Sequence, residues 1–406
     1  MTAPASVVVV GGGIAGVTAA RQLRAGGFAG TIRIVEAEPL CYDRPPLSKA
    51  AFVDGAGIES LAFATADEYA AAGIEVIAGV RAAGIRAGAV ALADGRVLEA
   101  EGIVLATGAR ARPPAFPGGD LPAVGVLRDY ADAMRLRAAA SPGATAVVVG
   151  AGLVGAELAS GLTELGARVV LVDPDPVPGA RAFGDALAGH LHAMHAAHGV
   201  DVRVGAVVRA EAEGDRVAVR LDDGASVSAD AVVVATGIEV DTSLAESAGV
   251  EVDRGIVVDD AGRTSLLGVW AVGDATRRRR PDGVLAPPDG HWEAAELDGR
   301  AVAADILGAQ PASRGAGWYW SDRYGVHVEV VGRLVGDGVE IVRRAGSGLP
   351  AAVLRLDEGM LVGAASIDDP NTVRAARRLI DRRVPVTAAE LADPALSLRD
   401  LLRAAR

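Results

Sequence analysis

An unbroken apolar run followed by closely spaced glycines opens the chain. Residues 7–10 are all valine, and Gly11, Gly13 and Gly16 follow with the spacing Gly-x-Gly-x-x-Gly. A continuous apolar run of this length predicts a strand buried on both faces, as strands of parallel sheets are. Residues 17–25, in which valine, leucine and alanine recur, predict a helix that begins directly after the glycine turn.

The same pattern occurs a second time. The apolar run 146–149 precedes Gly150, Gly152 and Gly155, and a helix-like segment follows over 156–165. One such glycine turn is weak evidence, but two copies that each follow a buried strand and open a helix are specific. The duplication therefore predicts two β-α-β nucleotide-binding units and two bound dinucleotides.

Each copy also carries an acid at the end of its next strand, Glu36 in the first and Asp173 in the second. A carboxylate at this place accepts hydrogen bonds from ribose hydroxyls and repels a 2′-phosphate. Asp173 therefore favours NADH over NADPH. Each copy closes with an apolar strand and an Ala-Thr-Gly turn, namely Ala106, Thr107 and Gly108 in the first and Ala235, Thr236 and Gly237 in the second.

The order of the elements predicts an α/β chain of three domains. The apolar strand 268–272, which is followed by Gly273 and Asp274, is expected to return to the first sheet. The second dinucleotide domain is then inserted in the first. The pattern changes to alternating strands and a helix near residue 317, which predicts a C-terminal α+β domain. The predicted boundaries are 1–115 with 241–316 for the first domain, 116–240 for the second and 317–406 for the third.

Composition narrows the function. The chain has 406 residues, a net charge of −12 and one cysteine, Cys41. An acidic chain repels phosphate backbones, so nucleic acid is not an expected partner. A single thiol excludes an intrachain disulfide or an iron–sulfur cluster held by this chain, and it fits a reducing cytoplasm. The apolar runs are too short to span a bilayer, so no membrane association is expected.

The segment Tyr-Asp-Arg-Pro-Pro-Leu-Ser-Lys at 42–49 resembles the flavin-side motif of the oxygenase-coupled NADH–ferredoxin reductases, which are FAD-dependent pyridine nucleotide oxidoreductases. Further segments resemble motifs of this family in the same order, namely 105–108, 127–128, 150–157, 270–274 and 318–322. The resemblance therefore covers essentially the whole chain. It implies FAD in the first domain, NADH in the second, and a [2Fe-2S] ferredoxin acceptor that serves an oxygenase or a cytochrome P450.

The resemblance also implies residue roles. Lys49 matches the lysine beside flavin N5, and Glu157 matches its partner across the domain boundary; an ordinary interdomain ion pair is the structural alternative. The residues that resemble FAD contacts are Gly11, Gly13, Ala15, Gly16, Glu36, Arg44, Lys49, Val80, Ala106, Thr107, Gly108, Arg128, Gly273, Asp274, Trp292 and Trp320. The NADH set is Gly150, Gly152, Leu153, Val154, Gly155, Glu157, Asp173, Arg181, Thr236 and Gly237.

Several features leave alternatives open. Trp320 fits a flavin neighbour or a plain core tryptophan, and Cys41 fits a spectator thiol better than the active cysteine of an NADH oxidase or peroxidase. An apoptosis-inducing-factor-like flavoprotein with a redox-controlled binding role is a further alternative. The basic run Arg277, Arg278, Arg279 and Arg280 fits ferredoxin docking or a solvated loop.

Four histidines, His190, His192, His195 and His198, crowd one predicted helix. A solvated helix face is expected in preference to a metal site, because no cysteine or glutamate accompanies them. The chain is expected to bind no metal and to form a monomer or a weak homodimer.

Overall fold

The computed structural model describes residues 4–404, which divide into two compact units. The first unit runs to Pro46 and continues with Ala56–Arg110 and Ile238–Arg314. The second consists of Leu47–Gly55, Ala111–Gly237 and the chain from Gly315 onward. None of the helices within 4–404 is both long and apolar enough to cross a lipid bilayer.

A five-stranded parallel sheet forms the core of the first unit. The apolar run at the start of the chain lies at its centre, and Val8 and Val104 are completely buried. The predicted return strand pairs with the strand before the first Ala-Thr-Gly turn, which confirms that prediction. In order across the sheet the strands are Val269–Ala271, Gly102–Leu105, Ser6–Val10, Thr31–Val35 and Ile74–Ile77.

The rest of the first unit surrounds this sheet. Its α-helices are Ile14–Ala25, Ile58–Leu61, Ala66–Ala71, Ser243–Ser247 and Trp292–Ile306. An antiparallel sheet is formed by Ala82–Arg86, Ala89–Leu92 and Val97–Glu99, and a parallel pair by Ile256–Val258 and Thr276–Arg278. A short strand at Ile238–Val240 and a 3₁₀ turn at Gly273–Ala275 complete the elements of this unit. The strand Ala109–Ala111 and the 3₁₀ turn Pro45–Ser48 lie where the chain passes from the first unit to the second.

The second unit contains the repeat of the same architecture. Its parallel sheet has the order Asp201–Val204, Arg168–Asp173, Thr145–Val149, Ala231–Val234 and Val124–Val126. Between the strands Asp201–Val204 and Ala231–Val234, the chain forms an antiparallel sheet of Val207–Glu213, Arg216–Leu221 and Ser226–Ala229. The helices are Tyr130–Ala139, Leu153–Glu164, Ala180–Phe183 and Asp185–Ala197, with a π-helical turn at Ala50–Asp54.

The C-terminal part of the second unit is a five-stranded antiparallel sheet with three helices. The strand order is Trp318–Arg323, Val326–Gly332, Met360–Ile367, Pro350–Asp357 and Val339–Arg344. The helices are Pro370–Asp381, Ala388–Ala392 and Leu398–Ala404. The first of them starts at Pro370, because Asp369 caps it and proline suits the first helical position.

This part packs against the second parallel-sheet domain through an apolar cluster. Phe183, Leu187 and Leu191 meet Val328 and Val353 there, and all five are at least 98% buried. The two parts therefore share a core and form one compact unit. The domain boundaries drawn from the sequence stay a prediction.

The histidine helix corrects one expectation. His195 has no exposed surface, so this position does not belong to a solvated face. Its Nδ1 lies 2.7 Å from the hydroxyl of Tyr324, whose ring stacks on His198 with centroids 4.0 Å apart. His195 lies on the same buried face of helix Asp185–Ala197 as Leu187, Ala188 and Leu191. The spacing of the histidines alone did not identify this buried face. Among the described residues, no histidine, cysteine and carboxylate cluster could hold a metal ion.

Burial gives His195 a measurable effect on stability. Desolvation, followed by the positive charge of Arg323, lowers the pKa of His195 to about 3. The unfolded state therefore binds one more proton than the folded state between pH 6.5 and pH 3, and stability falls as the pH falls. We expect a loss of about 1.4 kcal/mol per pH unit across this window. Urea unfolding at several pH values should show this slope, and His195→Phe should remove it; an unchanged slope in the variant would contradict the assignment.

Candidate functional site

The three glycines of the first turn have different surroundings. Gly11 has φ +112°, and a Cβ there would lie 2.1 Å from the carbonyl oxygen of Ala106. A Cβ on Gly16 would lie 2.1 Å from the carbonyl oxygen of Gly11. Around Gly13, chain neighbours aside, no described atom lies within 4 Å of such a Cβ. The outer glycines thus permit tight packing, and the middle one leaves open space at the start of helix Ile14–Ala25.

The second turn repeats this geometry. Gly150 has φ +98°, with a Cβ position 2.6 Å from the carbonyl oxygen of Ala235. A Cβ on Gly155 would lie 1.8 Å from the carbonyl oxygen of Gly150, whereas the Cβ position of Gly152 has no described atom within 4 Å beyond its chain neighbours. Gly152 begins helix Leu153–Glu164 without a side-chain cap, so the first N–H groups of the helix face this open space.

The two strand-end carboxylates bind their glycine turns in the same way. Glu36 accepts a hydrogen bond of 2.5 Å from the N–H of Gly12, and Asp173 accepts one of 2.7 Å from the N–H of Ala151. The second oxygen of each carboxylate accepts from the N–H two residues further along the chain, at 2.9 and 2.8 Å. Each acid is therefore held at the edge of its turn, where ribose hydroxyls bind in such domains.

These surroundings fit two dinucleotides. Open space, uncapped helix N–H groups and a fixed carboxylate are the features that bind pyrophosphate and ribose. The hydroxyl of Thr107, next to the first glycine turn, is buried and has no hydrogen-bond partner among residues 4–404. A buried hydroxyl without a partner is costly, and a bound cofactor would offset that cost. FAD, when bound, accepts a hydride and releases electrons one at a time.

The Gly-Asp segment of the first unit is anchored by a residue that the sequence analysis missed. The carboxylate of Asp298 accepts from the N–H of Gly273 at 2.9 Å and from Arg278 at 2.8 Å, and it also binds Arg314. Gly273 packs closely on Ala15, because a Cβ on Gly273 would lie 3.0 Å from that of Ala15. Asp298 lies within a helix and follows no recognisable motif, so only its contacts identify it.

The other predicted flavin residues of the first unit lie near the Tyr-Asp-Arg motif or the strand-end acid. Arg44 forms an ion pair with Glu38 at 2.8 Å, and the indole N–H of Trp292 donates to Asp43 at 2.8 Å. The backbone N–H of Val80 donates to the carbonyl oxygen of Glu36 at 3.1 Å. Ala106, Thr107 and Gly108 directly follow strand Gly102–Leu105, and Asp274 follows Gly273 in the 3₁₀ turn.

In the second unit, Glu157 is the centre of a polar cluster. One carboxylate oxygen accepts from the hydroxyl of Ser48 at 2.5 Å and from Nζ of Lys49 at 2.7 Å. The other accepts from the hydroxyl of Ser321 at 2.8 Å and from the N–H of Asp322 at 3.1 Å. The side chain is only 6% exposed, so this buried charge depends on its four donors.

Neighbouring residues hold this cluster in place. The guanidinium of Arg137 donates to the carbonyl oxygen of Phe52 at 2.5 Å, which fixes the π-helical turn after Lys49. Arg323 donates to the hydroxyl of Ser321 at 3.1 Å and is buried, and this burial lowers the pKa of its guanidinium. The geometry can thus present one lysine ammonium in a defined position.

The remaining predicted residues of the second unit are spread around the glycine turn and the C-terminal sheet. Trp320 stacks on Trp318 with ring centroids 5.0 Å apart, and the N–H of Arg128 donates to Asp132 at 2.9 Å. The side chain of Arg181 is exposed in a short helix. Leu153 and Val154 start the helix after the turn, and Thr236 and Gly237 come just after strand Ala231–Val234, which pairs with the central strand.

Two dinucleotide cradles, each with a carboxylate held at the edge of its glycine turn, define an FAD- and NADH-dependent oxidoreductase. The chain belongs to the pyridine nucleotide-disulphide oxidoreductase family, whose model matches residues 5–290. Residues 318–402 match the reductase C-terminal family. Both findings agree with the resemblance seen in the sequence, and the predicted fold class is confirmed.

Characterised relatives cover the same length. The chain is 34% identical to the benzene 1,2-dioxygenase system ferredoxin–NAD(+) reductase subunit of Pseudomonas putida, across 98% of both chains. It is 32% identical to putidaredoxin reductase of Pseudomonas putida, across 100% of this chain and 99% of that protein. The structure of the covalent putidaredoxin reductase–putidaredoxin complex matches with a TM-score of 0.93 at 32% identity, over 100% of this chain and 99% of that one.

Proposed function

We propose that the protein is an NADH–ferredoxin reductase that transfers a hydride from NADH to FAD and then delivers single electrons to a [2Fe-2S] ferredoxin. The ferredoxin would serve an oxygenase or a cytochrome P450. The main observation that supports this proposal is the pair of dinucleotide cradles. The balanced reaction is NADH plus two oxidised ferredoxins giving NAD⁺, two reduced ferredoxins and one proton.

The cysteine content supports an external acceptor. Family members that reduce disulfides need two thiols, and this chain has one. Cys41 is 3% exposed, and desolvation together with the Glu36 carboxylate raises its pKa to about 12. The reactive thiolate is therefore scarce at neutral pH. The similar proteins include ferredoxin reductase components of dioxygenase systems, and this similarity supports the same acceptor.

We assign residue roles within this function. Lys49 and Glu157 act as the catalytic pair, and the role of the ammonium is to stabilise negative charge on the reduced flavin. The first glycine turn, Glu36 and Thr107 bind FAD, together with the other flavin residues named from the sequence. The second turn and Asp173 bind NADH. Asp298 is added as a positioning residue for the Gly-Asp segment.

Within the arginine run, one residue supplies most of the positive charge that is available for docking an acidic ferredoxin. Arg277 pairs with Asp253 at 2.7 Å, Arg278 with Asp298 at 2.8 Å and Arg279 with Glu251 at 2.5 Å. These carboxylates offset much of the positive charge, whereas the Arg280 side chain is exposed. We propose Arg280 as the docking contribution of this run, a monomer or weak homodimer as the working form, and the cytoplasm as the compartment.

Stopped-flow spectroscopy tests the proposed function. NADH should bleach the visible absorbance of the flavin, and a [2Fe-2S] ferredoxin should restore it faster than air or hydrogen peroxide does. Faster return with peroxide would favour an NADH peroxidase. Slow return with every acceptor, together with an oligomeric state that changes on reduction, would favour the apoptosis-inducing-factor-like alternative.

The thiol gives a direct test between reductase and peroxidase. Cys41→Ser should leave the rate of ferredoxin reduction within about twofold of the wild type, because a buried protonated thiol takes no part in electron transfer. Steady-state NADH oxidation with ferredoxin and with peroxide measures both activities. Loss of a substantial peroxide activity in the variant would show that the thiol is the reactive group.

A further inference from the structure

The proposed reaction leaves one proton behind for each NADH oxidised. NADH supplies a hydride, which is two electrons and one proton, and ferredoxins accept electrons only. The proton must therefore leave the site of electron transfer. A series of groups that can each accept and release a proton can carry it to solvent.

A series of such groups starts at Lys49 within the second unit. Nζ of Lys49 lies 3.5 Å from Oδ2 of Asp322. The other oxygen of Asp322 lies 2.5 Å from Nδ1 of His327. The remaining ring nitrogen of His327 points toward Glu329, with Nε2 3.8 Å from Oε1. Lysine, carboxylate and imidazole thus follow one another at ion-pair or hydrogen-bond distances.

The solvent exposure of these side chains rises from each group to the next. Glu157 is 6% exposed, Lys49 26%, Asp322 36% and His327 43%. The groups therefore lead from a buried carboxylate to a ring that water reaches. Imidazole is suited to this outer place, because it exchanges protons with water near neutral pH.

A β-hairpin holds the two outer groups together. Asp322 and His327 are direct cross-strand partners on strands Trp318–Arg323 and Val326–Gly332, so their side chains lie on the same face. The backbone N–H of His327 also donates to Asp368 at 2.9 Å, and its carbonyl oxygen accepts from Asp368 at 2.8 Å. The pairing is thus fixed from both sides of the strand.

We propose that Asp322 and His327 form a proton relay from Lys49 to solvent. Lys49 transfers one ammonium proton to Asp322 as it takes up the proton that the reaction leaves behind. Asp322 transfers a proton to Nδ1 of His327, and Nε2 of His327 releases one to water. Asp322 and His327 act through Lys49 and are therefore positioning residues. The relay rests on the proposed function, because only electron transfer to a one-electron acceptor leaves this proton.

The charged groups around His327 belong to several elements. Asp322 and Glu329 face its ring from the hairpin, Asp368 binds its backbone from the following turn, and Lys49 with Glu157 lies behind Asp322. A change at Lys49 should therefore reach His327 through Asp322.

The kinetic test uses His327→Gln in the FAD-loaded protein, with His190→Gln as a matched control outside the cluster. NADH-reduced protein is mixed with a [2Fe-2S] ferredoxin in weak buffer that contains a pH-indicator dye. Flavin reoxidation and proton release are followed in the same trace. We expect proton release to be at least about tenfold slower in His327→Gln and unchanged in the control. Added imidazole should restore it, which a purely structural role would not allow.

Asp322→Asn is the second variant. Its backbone N–H still reaches Glu157, but the amide cannot pass a proton on, so imidazole should restore little of its rate. Wild-type proton release in His327→Gln, or slow release that imidazole leaves unchanged, would overturn the relay. Failure of the wild-type protein to reduce ferredoxin would instead overturn the proposed function, and the flavin signal distinguishes the two failures.

A second readout does not depend on turnover. The oxidised FAD-loaded protein, labelled with ¹⁵N at its six histidines, allows the signal of each imidazole ring to be followed by NMR. Lys49→Met should change the ¹⁵N chemical shifts of the His327 ring at a fixed pH, because Asp322 links Lys49 to that ring, and should leave those of His190 unchanged. Unchanged His327 chemical shifts would show that the three groups are not coupled.

Discussion

Gly152→Ala is expected to weaken NADH binding by at least about tenfold, or about 1.4 kcal/mol, while the protein stays folded. The φ angle of Gly152 is −66°, which alanine adopts without strain. No described atom beyond the chain neighbours lies within 4 Å of the added Cβ. The methyl group therefore meets only a ligand that approaches the backbone of the turn. Transient reduction of the flavin at increasing NADH concentration measures the effect.

Two further glycine variants separate ligand contact from folding. Gly189→Ala, in helix Asp185–Ala197, also adds a methyl group with no described contact within 4 Å and should leave NADH binding unchanged. Gly155→Ala places a Cβ 1.8 Å from a backbone oxygen and should lower the melting temperature. Gly152→Ala should lower it by no more than about 2 °C. Unchanged NADH affinity in Gly152→Ala would place the pyrophosphate elsewhere.

Glu157→Gln is expected to slow flavin reduction by NADH about a hundredfold and to lower the free energy of unfolding by about 2–3 kcal/mol. The carboxylate accepts from Ser48, Lys49, Ser321 and the N–H of Asp322. An amide of the same shape loses the charge and turns an N–H₂ group toward one pair of donors. Lys49 then has no buried counter-charge to hold its position. Stopped-flow absorbance gives the rate, and urea unfolding gives the stability.

The control is Glu164→Gln, the same substitution at an exposed position of the same helix. It should change neither quantity beyond the usual range for surface positions. Lys49→Met should slow flavin reduction as well, and the double variant should be no slower than the slower single one, because the two groups act as a unit. Additive losses in the double variant, or a wild-type rate in Glu157→Gln, would contradict the catalytic assignment.

The local chemistry of the dinucleotide turns could be predicted from the sequence. Gly11 and Gly150 need positive φ, and Gly16 and Gly155 allow a helix to approach its own turn. These requirements act within a few residues, so they leave a spacing that can be recognised. The strands before the turns are continuous apolar runs because both of their faces are buried. The fold class and both cofactors followed from this repeat and from the family resemblance.

Other features depended on residues far apart in the chain, and only the tertiary structure decided them. The donors to Glu157 come from positions 108 to 165 residues away, and Asp298 holds Gly273 from a separate helix. His195 proved to be buried and the charges of Arg277, Arg278 and Arg279 proved to be paired. Burial and ion pairing arise from long-range packing, which leaves no local spacing to recognise. The amino-acid sequence thus determined the fold class and the two glycine turns, and the packing decided which charges remain available for chemistry.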